Sequence, residues 1–193
     1  PLVAAGGVGA AAALGPSEGR LAGHVLSRRH LAARSPEGGR GGQKGETTEE
    51  RDTRAALGRS RGGYGTKACV IADRRGRAIA FRLAPGQAHE LPHTEPLIAS
   101  LPRVPKWVVA DRGYASHAFR EHVWDLGARP AIPSKRREPP VACPDYIYAN
   151  RNLVERLWAK LKEWRAVATR YEKTACSFMG VRCMAATMDR LKG

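Results

Sequence analysis

Four short apolar runs constrain this chain more than any other feature: Ala68–Ala72, Ala78–Ala84, Lys106–Ala110 and Arg129–Pro133. Each has the length of a strand and is bounded by turn residues, without the three-and-four spacing of an amphipathic helix. Asp73-Arg74-Arg75-Gly76 separates the first two as a hairpin turn, and Pro85-Gly86 ends the second. A helix over His93–Leu101 precedes the third run, broken off by Pro102 and Pro105. Between the third and fourth runs, Ser116–Leu126 has helical spacing, and Gly127 stands where a left-handed C-terminal cap belongs. A hairpin followed by strand–helix–strand predicts an α/β fold, a mixed sheet with helices on its faces.

The flanks differ in texture. Residues 1–57 are rich in Ala, Gly and Arg, with one helix-compatible stretch around Leu21–Ala33 and a flexible basic linker at Gly38–Gly45. No run there reads as a core strand, so this zone is expected to be poorly ordered or non-native, with the folded domain over 58–193. Downstream of a basic, Pro-rich loop at 134–144, a helix of about four turns is predicted from an Asn150 N-cap to Trp164. A second helix is predicted over Thr174–Leu191.

Charge narrows the function. Thirty-three Lys and Arg against eighteen Asp and Glu leave a net charge of +15, which points to a polyanionic partner held through counterion release. The four cysteines form no CxxC pair and no zinc-ligand spacing, as expected of reduced thiols in a cytoplasmic protein. No apolar run approaches the roughly 18 residues of a membrane span. No basic segment precedes the Ala/Gly-rich start as a signal peptide requires, and the opening on Pro1 suggests a fragment.

Two carboxylates carry the candidate chemistry. On a helical wheel Leu153, Val154, Leu157, Leu161 and Trp164 gather on one side, while Tyr148, Arg151, Glu155 and Lys162 fall within roughly 60° of one another on the other. By itself that second stripe reads equally as a solvated face with an Arg151–Glu155 pair. Asp111 ends an apolar strand and enters the turn Arg112-Gly113-Tyr114, the place where open α/β sheets put their sites. A strand-end Asp and a helix Glu are what Mg²⁺ (or Mn²⁺) takes, since it keeps several waters and few protein carboxylates. Two such ions about 3.5–4 Å apart can activate an attacking oxygen and steady a leaving one in phosphodiester chemistry. Neighbouring cations would hold phosphates in register without reading sequence.

Asp111-Arg112-Gly113-Tyr114, with Tyr148-x-x-Arg151-x-x-x-Glu155 and Lys162 seven residues on, resembles the second and third acid regions of DDE transposases of bacterial insertion sequences. Gly58-Arg59-Ser60-Arg61-Gly62-Gly63, Thr66-Lys67, Pro85-Gly86-Gln87-Ala88-His89 and Ala168–Thr174 are similar too, so the likeness covers about residues 41–191. It implies a ribonuclease H-like fold, Mg²⁺-dependent cleavage and transfer of DNA strands, and recognition of an element's terminal repeats in double-stranded DNA. It also implies a homo-oligomer when active, in the bacterial cytoplasm and on the nucleoid. In that family a first Asp lies on an early strand, yet residues 1–51 contain no Asp, and Glu18, Glu37, Glu46, Glu49 and Glu50 end no apolar strand. The expectation is a catalytic part with an incomplete acid set and a first zone resembling a shifted reading frame. The rivals are a non-catalytic basic DNA-binding remnant and a Mg²⁺-dependent nuclease without strand transfer.

The remaining polar residues divide in the same way. Asp73 reads as a turn residue before it reads as a ligand. His89 and His93 straddle Pro92, and His117 and His122 belong on a helix surface. Arg59, Arg61 and Lys67, in or beside a Gly-rich loop, are candidates for phosphate contact, as is Lys135-Arg136-Arg137. Trp107, Trp158 and Trp164 read as core anchors.

Overall fold

The computed structural model describes residues 24–26, 30–34, 45, 47–61 and 63–192. In chain order the elements are β1 (His24–Leu26), β2 (His30–Arg34), α1 (Thr48–Arg54), β3 (Gly58–Ser60), β4 (Gly63–Ala72), β5 (Ala78–Pro85) and α2 (Leu91–Ala99). There follow β6 (Trp107–Val109), α3 (His117–Asp125), β7 (Arg129–Ala131), α4 (Asp145–Tyr148), α5 (Asn152–Lys162), α6 (Arg165–Ala168), β8 (Thr169–Arg170) and α7 (Ala175–Lys192). The eight strands described form one mixed sheet with helices on both faces, the α/β architecture expected.

The long strand β4 organises the sheet. It pairs antiparallel with β5 through the expected hairpin, whose turn is left-handed at Gly76 (φ 75°). Asp73 Oδ1 accepts the Arg75 and Arg77 N–H groups at 2.8 and 2.9 Å, so this acid is a turn residue. Along the other edge of β4 lie β1 and β2, end to end and antiparallel to it. Beyond β1 run β6 and β7, both parallel, joined through α3; β8 runs parallel to β2.

Strand alternation sorts the core into two layers. Cys69 and Ile71 of β4, with Val108 and Ala110, pack under α2 and α3 against Leu97, Ile98, Phe119 and Val123. Ala68, Val70 and Ala72, with Val109, pack under α5 against Val154, Leu157, Trp158 and Leu161.

Two expectations are corrected. The stretch around Leu21–Ala33 was read as helix-compatible, and no core strand was expected before residue 58; β1 and β2 occupy part of that zone, so the sheet begins upstream of that boundary. Their strand state comes from partners on both edges, which a local pattern does not display. Asn150 does not cap the Glu155 helix: its side chain donates to the Tyr146 and Ile147 carbonyls, and the helical path already begins at Asp145 after Pro144. The linker residues Gly38–Lys44 lie outside the described residues.

Two fully buried arginines fasten the layer under α7. Arg170 Nη1 donates to the Ala55 carbonyl at 2.7 Å and to Thr66 Oγ1, joining β8 to the end of α1 and to β4. Arg182 lies over the rings of Phe178 (4.3 Å) and Trp158 (5.4 Å), and none of its guanidinium nitrogens has a hydrogen-bond partner.

Candidate active site

Asp111 stands two residues beyond β6 in extended backbone (φ −79°, ψ 177°). Alternation therefore places it on the face of Val109, the α5 side of the sheet. It is 8% exposed, and its Oδ1 accepts the Gly113 N–H at 2.7 Å, capping the short turn Arg112–Tyr114. Tyr114 ends that turn in the opposite layer, 1% exposed, with its ring centroid 6.2 Å from that of Phe119. The turn thus threads from one face of the sheet to the other.

Glu155 comes from the first turn of α5, whose apolar face buries Val154, Leu157, Trp158 and Leu161. That helix and the turn at 149–151 pack on β1, the parallel neighbour of β6. Arg151 forms an ion pair with Glu155 and lies 6.0 Å from the Tyr148 ring centroid, so three of the expected residues meet. Lys162 is exposed at the far end of the same helix, about 10 Å along its axis from Glu155. Trp164, expected on the apolar stripe, is 37% exposed.

The other expected cations separate. Arg59 and Arg61 are exposed on β3 and its turn. Lys67 is only 7% exposed: it donates to the Ala88 carbonyl and pairs with Glu90 at 3.8 Å. A phosphate would have to displace both partners to reach it. The signal was its position in β4, where buried Thr66 and Ala68 flank it. Glu90, which stands in the sequence between His89 and His93, takes its cation from β4.

The donor chemistry can be tested against a metal. Carboxylate oxygens are the hard ligands that Mg²⁺ and Mn²⁺ prefer. Among the described residues no group of three or more His, Cys, Asp or Glu gathers as a metal cage. Asp111 and Glu155 both offer such carboxylate oxygens, on elements packed against neighbouring strands of the sheet. Cys69 offers no alternative nucleophile there, because burial and the nearby Glu90 carboxylate push its thiol up to about 11.

A strand-end acid and a helix acid beside an Arg and a Tyr stand on one mixed sheet, the framework of an α/β protein. Comparison with known proteins makes this specific. Residues 108–192 match the model of the Transposase DDE domain family. The chain is 30% identical over 129 residues to a transposase for insertion sequence element IS6501 from Brucella ovis, covering 66% of this chain and 98% of that protein. It is also 30% identical over 121 residues to a transposase for insertion sequence element IS402 from Burkholderia cepacia, covering 58% of this chain and 56% of that one. The chain belongs to the DDE transposases of insertion sequences. It spans little more than half the length of the Burkholderia relative.

Proposed function

We propose that this chain is the catalytic part of an insertion-sequence transposase, ribonuclease H-like in fold, with one acid of its set missing. The observation that carries the reading is the placement of Asp111 at the end of β6 and of Glu155 on the helix packed over its neighbour β1. Neither β1 nor β2 contains an acid to join them.

In this reading Asp111 and Glu155 hold a Mg²⁺ or Mn²⁺ ion, which when bound supplies Lewis-acid polarisation of a DNA phosphodiester. Arg151 neutralises a phosphate on the strand to be cut while remaining in reach of Glu155. Tyr148 backs the Arg151 guanidinium with its ring, and Lys162 holds a phosphate further along the helix. Arg59 and Arg61 grip the DNA backbone without reading bases. The substrate class is double-stranded DNA carrying element ends, and pairing two ends calls for a homo-oligomer. The protein works on the nucleoid in the cytoplasm; among the described residues no helix is long and apolar enough to cross a membrane. The residues before 24 and between β2 and α1 are the place to look for a shifted reading frame: an apolar-Asp segment in another frame of the same DNA supports that origin, and its absence removes it.

Cleavage of element-end DNA in Mg²⁺ and in Mn²⁺, for this chain beside Glu155→Gln, tests the reading. Weak cleavage by the parent chain and none by the variant is expected. Equal cleavage by both contradicts it. Salt-dependent binding with no cleavage by either favours the non-catalytic remnant, a reading consistent with the Arg151–Glu155 pair. Nicking without joined products favours a nuclease.

A further inference from the structure

Glu90, just beyond the Pro85–His89 stretch, and Tyr114 take no part in the chemistry above, yet they meet in the layer opposite Asp111. Lys67 ties this segment to β4 through the Ala88 carbonyl and through the Glu90 carboxylate, whose side chain is 12% exposed. Gln87 seals the other side, lying so close over Gly58 that a Cβ there would sit 1.6 Å from its Oε1. Glu90 also starts α2, where its carbonyl accepts the Thr94 hydroxyl at 2.9 Å. The buried Tyr114 hydroxyl hydrogen-bonds to the same Glu90 carboxylate.

These contacts form one continuous path. Lys67 holds Glu90, Glu90 holds Tyr114, and the Tyr114 N–H donates to the Asp111 carbonyl at 3.0 Å. The Gly113 N–H of the same turn fixes the Asp111 carboxylate itself. A buried hydroxyl bonded to a partly buried carboxylate does not move away without losing its partner.

We propose that Glu90 and Tyr114 are positioning residues for Asp111, locking from the opposite face of the sheet the turn that aims its carboxylate. Partners one layer behind a ligand act on metal affinity, commonly tenfold or more, without touching the ion. The inference rests on the reading of Asp111 as a metal ligand.

Mn²⁺ affinity, followed by the loss of the free-ion electron paramagnetic resonance signal, tests it on the whole chain with no activity required. Tyr114→Phe and Glu90→Ala are each expected to weaken Mn²⁺ binding about tenfold. Glu90→Gln, which keeps an acceptor for the hydroxyl, is expected to restore the affinity to within threefold of the parent. Phe119→Leu, which loosens packing against the Tyr114 ring and leaves its hydroxyl alone, is expected to lower the melting temperature and leave Mn²⁺ affinity unchanged. Should Glu90→Ala fail to fold, Tyr114→Phe alone decides. Parent-like affinity in Tyr114→Phe, with binding lost in Asp111→Asn, overturns the inference and spares the site. Equal weakening by Phe119→Leu reduces Tyr114 to a packing residue and overturns it too. Undiminished binding in Asp111→Asn sinks both the inference and the metal reading beneath it.

Discussion

Replacing Arg182 with Met is expected to stabilise this protein. The guanidinium is fully buried, has no hydrogen-bond partner, and lies beside a second buried cation, Arg170. Burial first, and Arg170 second, push its pKa well down from the usual guanidinium range to about 9, with Glu172 opposing them weakly. At about 1.4 kcal/mol per pH unit that fall represents a penalty on the order of 5 kcal/mol for keeping the charge inside. The rings of Phe178 and Trp158 return roughly 1–2 kcal/mol each as desolvated cation–π contacts. The net cost is about 2 kcal/mol, within the range found when buried charges give way to apolar side chains of similar volume. Met matches the unbranched stem and keeps favourable sulfur contact with both rings. The sign with pH is fixed by linkage. Above about 9, up to the ordinary guanidinium range, the unfolded chain binds more protons at this position than the folded one, so the parent gains stability as pH rises through that window. Urea unfolding of parent and Arg182→Met at pH 7 and pH 10, at equal ionic strength, measures both effects. The variant should be more stable by about 2 kcal/mol at pH 7, and the gap should narrow at pH 10. A variant less stable than the parent at pH 7, or a gap independent of pH, refutes the reasoning.

The other predictions concern the surface and the turns. Arg59→Ala and Arg61→Ala should each weaken DNA binding and flatten its salt dependence by about one counterion, read from a salt titration of affinity. Lys67→Ala should leave that slope unchanged and lower stability by about 3 kcal/mol in urea unfolding, because it removes the cation from the half-buried Glu90 and the donor from the Ala88 carbonyl. Gly76→Ala should cost about 1 kcal/mol by the same measure, since the turn holds φ at 75°. Thr174→Ala removes the hydroxyl that accepts the Ser177 N–H at 3.1 Å and should cost about 1 kcal/mol, visible as a lower melting temperature.

The sequence was most legible where neighbours in the chain are also neighbours in space. The β4–β5 hairpin, the α3 helix with its Gly127 cap (φ 83°), and the Tyr148–Arg151–Glu155 stripe all depend on spacings of a few residues. The Thr47–Glu50 capping box of α1 was equally local, and went unread because the Ala/Gly/Arg texture around it suggested no structure. Other features were beyond a linear reading. His24–Leu26 and His30–Arg34 become strands only because β4, β6 and β8 supply their partners. Lys67 looks like a surface cation until Glu90, twenty-three residues away, is brought beside it. Arg170 and Arg182 carry charges that a sequence assigns to solvent, and the fold puts both at 0% exposure.

The central claim is that Asp111 and Glu155 together hold a single divalent ion. Equilibrium Mn²⁺ binding to the whole chain, with Asp111→Asn and Glu155→Gln measured beside it, tests this most directly. One ion per chain, lost in either variant, is the result expected. Two ions per chain, or an ion retained when either acid is neutralised, would contradict it.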